Sequence, residues 1–454
     1  MLRLLDRLRR DQRGNIAVIF AIALLPLIGF MGAAIDYSRA NNARTAMQSA
    51  LDSVALMVSK DLTQGLITAA DVDTKAKAYF AALYTNKDAQ SVSVTATYTP
   101  GTTSSGTTIL VNGSGSIPTD FMTVVGFPPT MGFKASSTAT WGASLLRVAL
   151  VLDNTGSMND YNKIGALKTA AQNLVTQLSA LAKNDGDVYI SVVPFEIDVN
   201  VGTSNVGASW LRWDNWDPKN YANSWAPWQT YCSNGYWMTK AQCLGHNYTW
   251  NHTANTSDTS QWNGCVTDRD QSYDVNATAP SSQATNFIAD QDQSCPVAPI
   301  LPLTYNWTNV KATISSMTAQ GATNQTIGLQ WGWLSLLQQA PLNAPSESTA
   351  AGTSYQHIIV LFTDGLNTGD RWYGDFGSQS SQVDTRMATL CTNIKNSGVT
   401  IYTVQIDTDG AGQSAVLPAC ASGPGNFFML TSPSQIAAAF AQIGTSIANL
   451  RVAQ

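Results

Sequence analysis

The run Val148-Ala149-Leu150-Val151-Leu152 ends abruptly in Asp153, and Thr155 and Ser157 follow at alternate positions. No other stretch restricts the possible folds so tightly. A continuous Val/Leu run without polar alternation suits a strand buried on both faces of a parallel sheet. In open sheets of that kind ligands bind beyond the carboxyl ends of the strands, where Asp153, Thr155 and Ser157 fall. A carboxylate and two hydroxyls on a Gly-containing turn make an all-oxygen donor set, which hard cations such as Mg²⁺ prefer. Taken alone, D-x-T-x-S reads equally as a strand-to-helix turn in which Asp153 or Thr155 caps the next helix.

Two downstream segments extend the pattern. Gly321-Ala322-Thr323-Asn324-Gln325-Thr326-Ile327-Gly328 is a small, hydroxyl-rich loop entering a helix, and His357-Ile358-Ile359-Val360-Leu361-Phe362-Thr363-Asp364-Gly365 is a second buried strand ending in Asp-Gly. In this order the three pieces resemble the metal-ion-dependent adhesion site of the von Willebrand factor type A family. The resemblance implies a doubly wound, Rossmann-like α/β domain over residues 145–454. It also implies a site of Asp153, Thr155, Ser157, Thr323 and Asp364 holding Mg²⁺, or Mn²⁺ or Ca²⁺ in its place. Thr155 stands where the family has its first Ser, which keeps the oxygen and adds a methyl group.

Residues 1–13 carry five Arg and two Asp, and Ile16–Ile35 follows without a single charge. Twenty such residues are long enough to cross a bilayer. Arg on the leading flank predicts a cytoplasmic N-terminus (1–15), a spanning helix (16–35) and export of everything after Asp36. A cleaved signal peptide competes with this reading, since Gly32-Ala33-Ala34 offers small residues to a peptidase. Helical spacing continues through Tyr37, Ala40, Ala43, Met47, Ala50, Leu51, Val54, Ala55 and Val58. It favours one retained helix, half in lipid and half packed on a soluble domain, with a kink at Pro26.

The segments Arg13-Gly14-Asn15-Ile16-Ala17-Val18-Ile19-Phe20 and Ala33-Ala34-Ile35-Asp36-Tyr37 resemble the start of tight-adherence (Tad/Flp) pilus-assembly proteins of the TadG kind. That resemblance implies a pilin-like helix ahead of an exported region with a type A domain. It places the chain in the inner membrane of a Gram-negative envelope, single-pass, with its bulk periplasmic or surface-exposed. The implied partners are other pilus-assembly or pilin-like envelope proteins, and a surface ligand.

Between these ends, Ala69–Tyr84 has helical spacing. Ser91–Tyr98 alternates as a half-buried strand, Thr107–Val111 returns, Thr119–Val125 reads as a short helix and Met131–Trp141 as a further strand. Residues 36–142 thus read as a long helix on a small antiparallel sheet, the plan of a pilin-like domain, or else as a β-rich spacer. From Leu145 strands and helices alternate until about residue 202. An insertion of about residues 202–302 then carries eight of the 13 Trp (210, 213, 216, 225, 228, 237, 250 and 262) and Cys232, Cys243, Cys265 and Cys295. Its aromatic content argues against disorder. These Trp suit a partner or sugar surface, and equally a small core of the insertion itself. His246 and His252 match no ligand spacing and read as solvated loop residues.

Six widely spaced Cys on the exported side suggest disulfides, with Cys391–Cys420 the favoured pair and the other connectivity open. Lys+Arg 25 against Asp+Glu 30 gives a mildly acidic chain whose basic residues cluster only at the N-terminus, so no nucleic-acid footprint is present. A phosphatase of the D-x-D-x-T/S type is excluded by Thr155, and no Ser/His/Asp arrangement appears. The sequence therefore reads as a non-enzymatic, membrane-anchored assembly or adhesion component, with a carbohydrate-binding adhesin using the Trp-rich insertion as the alternative.

Overall fold

The computed structural model describes residues 15–100, 107–141, 144–219, 231–235, 238–253, 255–347 and 354–452. The basic tail, the Gly/Thr/Ser turn at 101–106 and Trp225, Trp228 and Trp237 lie outside them. The chain divides into two compact units, Met1–Ala143 and Ser144–Ala453.

In the first unit α1 (Asn15–Thr63) is 49 residues long, roughly 70 Å at the helical rise. It is long and apolar enough to cross a membrane by length and composition. Phe20, Ile22, Leu27, Phe30 and Met31 are exposed along its first half, whereas Ala40, Ala43, Met47, Leu51, Val54 and Val58 are buried. The buried set recurs every three or four residues, as a helix with one core-facing stripe requires. The stripe begins one residue earlier than the sequence implies, for Tyr37 is 65% exposed and Asp36 points inward. The Asp36 carboxylate accepts the backbone N–H groups of Asp120, Phe121 and Met122 at 3.2, 3.0 and 2.9 Å. Those amides open a 3₁₀ turn, Met122–Val125, and have no partner within it. This single turn is all that forms of the helix expected over Thr119–Val125.

The rest of the unit is α2 (Val72–Leu83) and an antiparallel sheet of β1 (Gln90–Thr99), β2 (Thr107–Pro118) and β3 (Thr130–Trp141), in the order β1-β2-β3. The β2 strand runs seven residues past the expected Val111. Ser114 and Gly115 look like turn residues in isolation, yet both pair with β3.

The second unit is built from β4 (Ser144–Asp153), α3 (Lys163–Ser179), β5 (Val188–Phe195), β6 (Val199–Asn200), β7 (Leu211–Arg212), α4 (Lys240–Gly245), β8 (Cys265–Thr267), β9 (Phe287–Ala289) and β10 (Leu301–Thr304). It continues with α5 (Trp307–Ser316), α6 (Gln325–Ser335), β11 (Ser354–Thr363), α7 (Ser381–Asn396), β12 (Thr400–Ile406), α8 (Leu417–Cys420), β13 (Phe427–Leu430) and α9 (Ile436–Val452). Strands β13-β12-β11-β4-β5 are parallel neighbours, and β10 joins β5 antiparallel. Numbered by chain order among themselves, these strands run 3-2-1-4-5-6 across the sheet, the doubly wound plan.

Central β4 accounts for its own sequence. Ala149 and Val151 enter the core beneath α6 and α7, while Leu146, Val148, Leu150 and Leu152 enter the core beneath α3, α5 and α9. Both faces are covered, so alternation disappears from the sequence. Helix α6 is buried along its whole length, including Gln325 and Gln330. Gln330 Nε2 donates to the carbonyls of Tyr273 and Asn276 at 2.7 and 3.0 Å, because the insertion roofs the helix.

The insertion is also more sheet-like than the sequence implies. Short strands β6, β8, β9 and β7 extend the main sheet beyond β5. Disulfides Cys232–Cys243 and Cys265–Cys295 close it internally, and Cys391–Cys420 joins α7 to α8 as expected. Trp216 and Trp262 are buried, with Trp210 and Trp213 packed against the same core. Trp250 is half-buried and donates to Asp217 at 2.7 Å. The insertion's described Trp thus form its own interior rather than an open stacking surface. His252 and His246 are not solvated either: His252 Nδ1 lies 2.7 Å from the buried Asp217 carboxylate, and His246 packs edge-on to Phe376.

Gly332 lets α6 lie flush on β4, since a Cβ there would stand 2.4 Å from Val151 Cγ2. We expect Gly332→Val to lift the helix and lower stability by about 1–3 kcal/mol, read as a fall in the thermal midpoint by circular dichroism. An unchanged midpoint would mean that the helix and sheet are not in close contact.

Candidate functional site

The carboxyl end of β4 meets two loops. Asn154 N–H donates to the Phe195 carbonyl at 2.8 Å, which continues the β4–β5 pairing past the last strand residue. The chain then turns, and Thr155 N–H donates back to Asp153 Oδ1 at 2.8 Å. Gly156 N–H donates to the Gly321 carbonyl at 3.0 Å and Gln320 N–H to the Asn154 carbonyl at 2.8 Å. The loop before α6 is thereby fastened to the loop after β4. From the other side, Thr363 at the end of β11 donates its hydroxyl to Asp153 Oδ2 at 2.6 Å. Asp364, the next residue, accepts the Ser157 hydroxyl on Oδ1 at 2.7 Å.

Four of the five residues named from the sequence are therefore linked. Thr155 and Ser157 hydroxyls lie 3.2 Å apart, Ser157 bonds Asp364, and Thr155 N–H bonds Asp153. Thr323 is set differently. Its amide N–H donates to the Thr368 hydroxyl at 2.9 Å, its carbonyl accepts Thr368 N–H at 2.9 Å, and its own hydroxyl faces Gly365. Among the described residues no hydrogen bond joins Thr323 directly to the other four.

The sequence reading missed Lys163. This first residue of α3 is fully buried, and its ammonium stands 2.7 Å from Asp364 Oδ2. Only the tertiary path of the turn after Ser157 brings it there; Tyr161 and Asn162 both adopt positive φ to make the approach. Thr363 and Thr368 were also missed, although a hydroxyl beside Asp364 was a usable signal.

Two carboxylates and one ammonium share a dry site. Burial, then repulsion from Asp364, pushes Asp153 up to about 7, against the hydrogen bonds of Thr155 and Thr363. Burial raises Asp364 as well, despite Lys163 and Ser157. One lysine does not neutralise the pair. The donor set of two carboxylates and neighbouring hydroxyls is all oxygen, and the excess negative charge fits a hard divalent ion. The polar stretch after Asp364 closes the rim: Arg371 Nη1 donates to the Asp268 carbonyl at 3.1 Å and pairs with Asp270 at 3.0 Å.

The charge pattern has a measurable consequence without any ion. Asp153 and Asp290 are raised to about 7 and Asp370 to about 6, in each case chiefly by burial. The folded state then binds protons that the unfolded state has already lost. Their stabilisation is complete below the ordinary carboxylate range and disappears as pH rises through 7. His246, lowered by burial, opposes them as a single group. We expect the EDTA-treated protein to melt lower as pH is raised from about 4.5 to about 7.5; a rising midpoint across that window would contradict the assigned charges.

Comparison with known proteins places these features in context. No curated protein matches the chain. Among solved structures, the vWF domain of the type V pili tip protein Mfa5 from Porphyromonas gingivalis aligns at 12% identity over 69% of this chain and 97% of that one, TM-score 0.37. The pilus adhesin RrgA from Streptococcus pneumoniae aligns at 12% identity over 79% of this chain and 50% of its own, TM-score 0.36. Proximal thread matrix protein 1 from the mussel byssus, with a zinc-occupied MIDAS motif, aligns at 13% identity over 67% of this chain and 46% of its own, TM-score 0.32. Residues 14–61 match the family described as Flp pilus-assembly TadE/G-like. The chain thus joins an N-terminal segment similar to the Flp pilus-assembly TadE/G-like family to a doubly wound α/β unit.

Proposed function

We propose that the protein is a membrane-anchored, non-enzymatic component of Tad/Flp pilus assembly or adhesion that binds a protein partner through a divalent ion at the β4 rim. The observation that carries this reading is the buried Asp153/Asp364 pair at the carboxyl edge of the sheet, in a chain that begins with a TadE/G-like segment. Asp153, Thr155, Ser157 and Asp364, with Thr323 from the neighbouring loop, are the residues that would hold Mg²⁺ or a similar ion. Bound there, the ion offers an electrophilic position to an incoming Asp or Glu. The chain's own residues set the terms of that exchange. Ser157 and Thr363 fix the two carboxylates, the Gly156–Gly321 bond holds the second loop, and Lys163 neutralises Asp364 when no divalent ion does.

Partners are other pilus-assembly or pilin-like envelope proteins, and the helix over residues 16–35 anchors the chain in the inner membrane with the type A unit exported. In this arrangement α1 carries the membrane segment and then the stripe that packs on β1–β3. The pilin-like unit is thus held close to the bilayer.

Two variants test the site. Asp153→Ala is expected to abolish Mn²⁺ binding and Mg²⁺-dependent capture of envelope partners while the folded spectrum persists. Lys163→Met removes a competing cation and is expected to tighten Mn²⁺ binding about tenfold. Capture of the same partners in EDTA by wild-type protein would take the metal out of the account, leaving only a tethered scaffold.

A further inference from the structure

The loop between β2 and β3 is apolar where a water-facing loop would be polar. Phe121-Met122-Thr123-Val124-Val125-Gly126-Phe127-Pro128-Pro129 contains no charge. Phe121 and Phe127 are 40% and 55% exposed. This loop lies against the end of the uncharged stretch of α1. Gly32 is buried there, and a Cβ on it would stand 2.3 Å from Phe121 Cβ, so a glycine is needed for Phe121 to come this close. On either side of Gly32 the helix exposes Phe30, Met31 and Ile35. Loop and helix therefore carry exposed apolar side chains at one level.

Charge begins one helical turn beyond that contact. Asp36 is the first charged residue of α1 after Gly32, and Arg39 pairs with Asp120 at 2.6 Å and with Asp88 at 3.7 Å. The exposed Tyr37 belongs to the same layer, and Tyr is enriched where membrane proteins meet the lipid headgroups. The loop is also prepared for a medium without water, in which backbone amides need internal partners. The Asp36 carboxylate takes the N–H groups of Asp120, Phe121 and Met122. Thr119 N–H donates to the Pro129 carbonyl at 2.9 Å and its hydroxyl to the Pro128 carbonyl at 2.8 Å, which closes the loop at its base. Gly126 and Phe127 N–H donate to the Thr123 and Met122 carbonyls, both at 3.1 Å. Pro128 and Pro129 have no N–H to satisfy.

We infer that the β2–β3 loop is a second membrane contact, with Phe121 and Phe127 entering the boundary between headgroups and acyl chains of the bilayer that α1 spans. The inference rests on the reading of residues 16–35 as a membrane anchor, and adds to it a fixed depth and orientation for the pilin-like unit. Three residues separate Gly32 from Ile35, so Phe121 meets the helix about 5 Å inside the end of the uncharged stretch. Interfacial apolar groups bury about 5–10 Å deep, which matches. Lipid is the occupant these features select, because the loop carries no charge to direct a protein partner and adjoins the exposed apolar side chains of the spanning segment. One spanning helix sets neither its own tilt nor its rotation; flanking interfacial anchors do. A loop held at the same surface supplies the second point of attachment.

The test is site-directed fluorescence on the full chain in vesicles of phosphatidylethanolamine and phosphatidylglycerol. All six native Cys are in disulfides, so a single added Cys takes an environment-sensitive nitrobenzoxadiazole label alone. Three chains are compared. Leu24→Cys reports the anchor and Phe127→Cys the loop. Thr97→Cys is the aqueous reference, because Thr97 pairs with Leu110, about 27 Å up β2 from Pro118. The Phe127→Cys label is expected to emit to the blue of the Thr97→Cys label and to resist iodide quenching about tenfold better, the ratio that burying one aromatic side chain supports. Lipid brominated near the headgroup end of its chains should quench it more than lipid brominated near the tail, with the reverse order for Leu24→Cys. A protected Leu24→Cys label beside a Phe127→Cys label as open to iodide as Thr97→Cys overturns the inference and leaves the anchor standing. A Leu24→Cys label open to iodide removes the anchor, and the loop contact with it. Protection of Phe127→Cys from iodide without quenching by brominated lipid also overturns the inference, since protein then covers the loop. If Phe127→Cys does not reconstitute, the exposed Thr123→Cys carries the same comparison.

Discussion

The hydrogen bond from Thr363 to Asp153 joins the ends of the two central strands, and the rest of the larger unit is arranged so that this carboxylate can stay buried. A carboxylate without solvent is expensive, so it persists only where donors are fixed and the surroundings are rigid. Strand β4 supplies the rigidity, with neighbours on both sides and apolar cores on both faces. The Thr155 amide and the Thr363 hydroxyl supply the donors. Asp364 then arrives beside it because β11 pairs in register with β4, Phe362 opposite Leu152. The result is a concentration of negative charge that one lysine offsets only in part.

The insertion solves a different problem. A segment of about a hundred residues with few long apolar runs has to become ordered on the edge of a sheet. It does so with two local disulfides, four short strands that continue the hydrogen-bonding of β5, and a core of indoles packed edge to face. Indoles cover large areas for few residues and keep one polar atom to satisfy; Trp216 and Trp262 donate to the carbonyls of Asp258 and Cys265. By covering α6 from above, the insertion also explains why that helix has no solvent face. Charge is the residual cost: Arg212 and Arg371 both serve Asp270 and Arg386 serves Asp274, while among the described residues no cation pairs with Glu196 or Asp198.

Helix α1 meets two environments along one axis. Its first half exposes large apolar side chains, and its second half buries small ones, Ala40, Ala43, Ala50 and Ala55, so the sheet can approach closely. Asp36 lies at the junction, where a carboxylate serves as the cap of a distant 3₁₀ turn. A buried carboxylate at that position ties the helix to the loop between β2 and β3 without lengthening the apolar stripe.

Much of this was written in local pattern. Unbroken Val/Leu runs ending in acids specified buried parallel strands, and the alternation of strands with helices specified a doubly wound sheet. The uncharged stretch before Asp36 specified a helix able to span a bilayer. Those features depend on periodicity and hydrophobicity, which a linear chain displays directly. The sequence also named Asp153, Thr155, Ser157, Thr323 and Asp364, because each lies at the end of a readable element. Tertiary structure alone decided what these groups face. Lys163 reaches Asp364 only through a turn with two left-handed residues, and Trp216 and Trp262 turn inward because nearby strands give them a core. Charge balance in a protein interior depends on distances between residues far apart in the chain, and no local pattern encodes those distances.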